Sequence, residues 1–162
     1  MNIKVLSDLH LEFGDFYPGE GEVLVLAGDI CTAVDFAESK DDELNKRFRK
    51  FFKHIGVHFD KVFYVMGNHE HYHNSLVHTP LMLQEVLPDN CSLLDNSSEY
   101  YNGMHFVGTT LWSDFCNQNP NMMDTCRGRM NDYELIWDRK QNKLQPETCL
   151  LYTSPSPRDR VL

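Results

Sequence analysis

"VFYVMGNHEHYH" (residues 62–73) sets four apolar or aromatic residues and a methionine ahead of Gly67, then delivers Asn68, His69, Glu70, His71, Tyr72 and His73 in a row. A short apolar run stopped by glycine reads as a strand whose carboxyl end carries polar groups. Two earlier stretches repeat the design. "IKVLSDLH" (residues 3–10) ends in Asp8 and His10, and "VLVLAGD" (residues 23–29) ends in Gly28 and Asp29. Hydrophobicity that is continuous rather than alternating marks strands covered on both faces, as in an α/β sheet.

The intervening sequence agrees. "DDELNKRFRKFFKHIGVHF" (residues 41–59) spaces Leu44, Phe48, Phe51, Phe52 and Ile55 by three and four, with charges between them. That spacing predicts an amphipathic helix capped by Asp41 or Asp42. Strand, helix, strand is a crossover unit and calls for parallel strands. "NSLVHTPLMLQEVLPDN" (residues 74–90) reads as a second helix, with Pro80 in its first turn and its end before Pro88. Past Cys91, "SLLD" and "SEYYNGMHFVGTTLW" read as short strands with a hairpin turn at Asn102-Gly103. Residues 118–147 show no clear period.

A chain of 162 residues, 41% of them hydrophobic, suits one domain with a real core. The formal net charge of −9 speaks against a general nucleic-acid binder and against a polybasic membrane anchor. It leaves a phosphate substrate open, because a bound cation inverts the local field. Five cysteines without a CxxC spacing imply neither a disulfide framework nor a cysteine zinc site. No apolar run approaches the ~20 residues of a membrane span. The N-terminus opens on a strand with no signal-peptide core, so a cytoplasmic setting is expected.

In an open α/β sheet, ligands bind beyond the carboxyl ends of the strands. Three adjacent parallel strands would bring Asp8, His10, Asp29, Asn68 and His69 to one crevice. Two carboxylates held together repel unless they are protonated or bridged by cations. Carboxylate, imidazole and amide oxygen together suit Mn, Fe or Zn. Taken singly, each piece reads more readily as an ordinary turn or cap than as a site. Their joint order, each after an apolar strand, is what points to a site.

Asp8-x-His10, Gly28-Asp29 and Gly67-Asn68-His69-Glu70 together resemble the opening half of the calcineurin-like metallophosphoesterase signature. "LSDLHLEFGDF", "VLAGDI", "GTTLWSDF" and "RMNDYELI" are similar to a subgroup of small bacterial-type phosphohydrolases. The resemblance implies the N-terminal half of a four-layer α/β/β/α sandwich. It implies two divalent metal ions, with Asp8 and His10 on the first, Asp29 bridging both, and Asn68 on the second through its amide oxygen. His69 would act at the scissile bond, and Glu70 would orient His69 or a ligand from behind. The substrate class is a phosphate ester. Phosphomonoester, cyclic nucleotide, dinucleotide polyphosphate and nucleic-acid diester are all compatible.

His71 and His73 read as exposed loop residues. Trp112 and Asp114 either border the cleft or form a core tryptophan with a turn aspartate. The family's later histidine ligands have no counterpart, since no histidine follows His105. The expected division is therefore a partial phosphoesterase domain over residues 1–148 and a non-native tail over residues 149–162. Back-translation of residues 149–159 resembles a transposase-type sequencing adapter. The rival reading is an inactive fragment, or a non-catalytic scaffold on the same fold.

Overall fold

A computed structural model describes residues 1–36, 42–138 and 142–153. Strands β1 (Ile3–Leu6), β2 (Gly21–Ala27), β3 (Phe59–Val65) and β4 (Cys91–Leu93) form one parallel sheet in the order β1-β2-β3-β4. The three expected strands are parallel, and β4 extends the sheet at the β3 edge. Leu6 pairs with Leu26, and Leu26 with Tyr64. The carboxyl ends of β1, β2 and β3 are thereby level, and the residues that follow them emerge along one edge.

One face of the sheet is covered by α1 (Ala33–Phe36), α2 (Glu43–His58) and α3 (His78–Val86). Asp42 caps α2 by accepting from Asn45 N–H at 2.7 Å, so of the two candidate caps it is the one seen. Its apolar stripe, Phe48, Phe51, Phe52 and Ile55, is buried with Leu24, Leu26, Val62 and Tyr64 of the strands. Phe36 stacks on Phe52 at 4.6 Å between ring centres. Burying each such ring contributes ~1.5–3 kcal/mol, which holds the crossover to the sheet.

The opposite face carries a hairpin of β5 (Ser97–Tyr101) and β6 (Met104–Gly108). Its turn is the expected Asn102-Gly103, with φ of +46° and +88°, and two successive left-handed residues match the strand twist. Phe106 stacks on Phe63 at 4.0 Å. The described layers are therefore helix, parallel sheet and a second β layer, in the order that the expected sandwich begins.

Residues 118–147 show no period, and the described residues between 115 and 153 fold as several short pieces. These are a left-handed turn, α4 (Phe115–Gln118), then α5 (Pro120–Arg127), α6 (Asp132–Leu135) and α7 (Pro146–Thr153). They bury Leu76, Phe115, Tyr133, Ile136, Leu144 and Cys149 in a second cluster. Helix α7 runs through the boundary expected after Thr148, and Cys149 is fully buried. The rest of the expected tail, residues 154–162, lies outside the described residues. No helix among the described residues is long and apolar enough to cross a membrane.

Candidate metal centre

Backbone hydrogen bonds lace the loops after β1 and β2 together. Asp8 N–H donates to the Gly28 carbonyl at 3.0 Å, His10 N–H to the Asp29 carbonyl at 3.0 Å, and Leu11 N–H to the Ile30 carbonyl at 2.9 Å. Asp8, His10 and Asp29 all hold left-handed backbone, with φ of +54°, +43° and +55°. That conformation is uncommon for residues other than glycine and costs energy, and such strain gathers at functional sites. Two glycines let the loops meet. A Cβ on Gly28 would lie 2.9 Å from Gly67 N, and one on Gly67 would run into Asp29 Oδ1.

This lacing brings together ligand atoms of Asp8, His10 and Asp29, all within 4.8 Å of one another. A second group, His10, Glu12 and His69, meets the same limit. His10 and His69 stand edge to face at 4.7 Å. Asp29 Oδ1 accepts the backbone N–H of His69 at 3.0 Å, which ties the β3 loop to the carboxylate of the β2 loop. Asn68, next in the chain, donates from Nδ2 to Asp132 Oδ1 at 2.8 Å.

These residues fit divalent cations. His10 Nδ1 and Glu12 Oε2 are buried without a hydrogen-bond partner among the described residues. Stranded polar atoms are costly, and a bound cation is one partner that would satisfy such an atom. The donor set of carboxylates and imidazoles is the one Mn, Fe and Zn accept. Asp8, His10 and Asp29 would hold such ions, with Asn68 as the amide ligand expected from the sequence and Glu12 close by.

Glu70 holds the site from beneath. Its Oε2 accepts N–H groups of Asp29 at 3.0 Å and Gly67 at 2.7 Å, and its Oε1 accepts Ile30 N–H at 2.7 Å and the Tyr64 hydroxyl at 2.8 Å. Burial pushes this carboxyl above its ordinary range, while the Ile30 N–H and the Tyr64 hydroxyl favour the charged form. Glu70 thus acts on the loop backbone rather than on His69 itself. Thr110 adds a bond from its hydroxyl to the Met66 carbonyl at 2.7 Å, which gives the "GTTLW" stretch a structural task.

A family model described as calcineurin-like phosphoesterase matches residues 1–154. The chain belongs to the calcineurin-like phosphoesterase family. Protein L509 of Acanthamoeba polyphaga mimivirus is 30% identical over 166 residues, covering 88% of this chain and 54% of L509. The crystal structure of phosphopantetheinyl hydrolase from Mycobacterium tuberculosis superposes with a TM-score of 0.53 at 18% identity, covering 98% of this chain and 57% of that one. At that identity the likeness concerns the fold. The chain spans about half the length of these two proteins.

Several residues of this phosphoesterase-family site depart from the sequence reading. His71 is buried, at 3% exposure, and not an exposed loop residue. Burial pushes its imidazole down to about 4, so it is neutral at pH 7. It turns inward because it closes the 3-10 turn of residues 69–71, toward Trp112 at 6.4 Å between ring centres. His73 is exposed as expected. Asp114 caps α4 by accepting from Cys116 and Asn117 N–H, which favours the turn-aspartate reading. Glu12 and Asp132 escaped the sequence reading. Glu12 extends the alternation Asp8-x-His10-x-Glu12, a signal that was available. Asp132 had none, since it reaches Asn68 across 64 residues.

Proposed function

We propose that the protein hydrolyses phosphate esters with divalent metal ions held by Asp8, His10, Asp29 and Asn68. The observation that carries this is the convergence of Asp8, His10 and Asp29 ligand atoms within 4.8 Å, on strained strand ends where electrostatic repulsion calls for a cation. Divalent ions bound there would neutralise phosphate oxygens and make water a competent nucleophile near neutral pH. Asp29 is the bridging candidate for two ions.

His69 is the group that faces the leaving oxygen. Its Nε2 lies 3.6 Å from Glu12 Oε1, and that same oxygen accepts Thr32 N–H at 2.6 Å. Glu12 is thereby fixed in place beside His69, whose imidazole is the group assigned to donate a proton to the departing alkoxide. The His69 backbone is pinned to Asp29, so the proton donor and the candidate bridging carboxylate move as one unit.

The test is hydrolysis of p-nitrophenyl phosphate and bis(p-nitrophenyl) phosphate with added Mn, in wild type, Asp29→Ala and His69→Ala. Loss of about 10²-fold or more in both variants is expected. Full activity in both would overturn the site assignment. A wild type that binds Mn and hydrolyses neither substrate would favour the non-catalytic scaffold.

A further inference from the structure

Asp132 is an acid with only 3% exposure, on a helix that belongs to the second core cluster rather than to the sheet. Its place is set by backbone bonds between its own segment and the loop after the 3-10 turn. His73 N–H donates to the Leu135 carbonyl at 2.8 Å, Leu76 N–H to the Trp137 carbonyl at 3.0 Å, and Trp137 N–H to the Asn74 carbonyl at 3.0 Å. The consequence is that one carboxylate oxygen, Oδ1, meets both Asn68 Nδ2 at 2.8 Å and the Tyr72 hydroxyl at 2.9 Å.

We propose that Asp132 is a positioning residue that fixes which end of the Asn68 amide faces the metal crevice. This rests on the metal-ion reading of the site given above. The two ends of an asparagine amide have nearly the same shape and opposite chemistry, since one donates and the other coordinates. A carboxylate only accepts, so it selects the nitrogen and turns the oxygen away from itself. Tyr72 reinforces the choice. Its hydroxyl hydrogen is committed to Asp132, so the oxygen presents a lone pair toward Asn68 Nδ2, 3.4 Å away. A flipped amide would set its oxygen against the carboxylate and the phenol oxygen together, in a half-buried site where water offers little relief. The "RMNDYELI" segment thus does more than cover the core, because its aspartate decides whether Asn68 offers oxygen to a cation.

The experiment reads metal affinity rather than turnover. Metal-free wild type, Asp132→Asn and the exchanged pair Asn68→Asp with Asp132→Asn are titrated with Mn by calorimetry. Asp132→Asn keeps the shape but can donate, so either orientation of Asn68 is allowed. Weakening of about 10–100-fold is expected. In the exchanged pair a symmetric carboxylate at position 68 needs no orientation and accepts from the amide introduced at position 132, so affinity returns to the wild-type level or above. Unchanged affinity in Asp132→Asn, or no recovery in the exchanged pair, would overturn the proposal. A second measurement needs no variant: the Asn68 side-chain NH₂, followed by nitrogen-15 NMR in the metal-free protein, exchanges slowly with solvent. Fast exchange would overturn it too. A wild type that takes up no Mn would remove the metal reading itself, a result distinct from wild-type uptake that Asp132→Asn leaves intact.

Discussion

At the residue scale, the site depends on a few groups whose chemistry is fixed by burial. Glu70 is fully buried, and both its oxygens accept hydrogen bonds from the strand-end loops. Glu70→Gln keeps the shape yet replaces one acceptor by a donor, and in either orientation the new NH₂ meets existing N–H or O–H groups. A loss of about 2–3 kcal/mol is expected, the cost of stranding buried polar groups. Chemical denaturation at pH 7 measures it, and a change below about 0.5 kcal/mol would show that the loops hold without this carboxylate. Glu70 was legible as a supporting residue from its place after Asn68-His69. Its actual partners were not, because they are backbone N–H groups of a loop 40 residues earlier, and backbone partners leave no trace in side-chain pattern. Glu12 and Asp132 lie at opposite ends of the same problem. One stands two residues from His10 and extends a visible alternation, while the other arrives from a separate helical piece.

At the element scale, strands β1 to β3 and helix α2 were legible because each carries a strong local period and stops at a glycine, aspartate or cap. Residues 118–147 were not, because the described helices there, α4 to α7, are too short to complete a hydrophobic stripe. Helix α7 crosses the boundary expected after Thr148, and the packing of Cys149 within it can be measured. Cys149 is fully buried, and burial pushes its thiol up to about 12, whereas Cys116 is exposed. Thiolate is the reactive form, so iodoacetamide at pH 8 should label Cys116 first and spare Cys149 until the protein unfolds. Peptide mass spectrometry reads the order. Rapid labelling of Cys149 in the native protein would mean that α7 does not stay packed.

For the whole molecule, the sheet's second face is only partly covered. β1 pairs with β2 alone among the described residues, leaving its other edge unpaired. Val5, Val107 and Leu111 are 62%, 76% and 82% exposed. An open strand edge that carries an exposed Val5, together with other exposed apolar groups on the molecule, favours self-association. The purified chain is expected to sediment as more than a monomer at tens of micromolar, and Val5→Lys to shift it toward monomer. Sedimentation unaffected by Val5→Lys would clear this edge of responsibility.

The sequence by itself determined the parallel strands, the crossover helix, the hairpin turn and the polar groups at three strand ends. Each is written in a window of a few residues, where apolar period, glycine and capping chemistry act locally. Only the tertiary structure decided that Asp8, His10 and Asp29 close within 4.8 Å, that Glu12 joins His69, that His71 is buried, and that Asp132 meets the Asn68 amide. Those outcomes depend on strand register and on the packing of a late helical segment. They join residues up to 64 positions apart, beyond the reach of any local pattern.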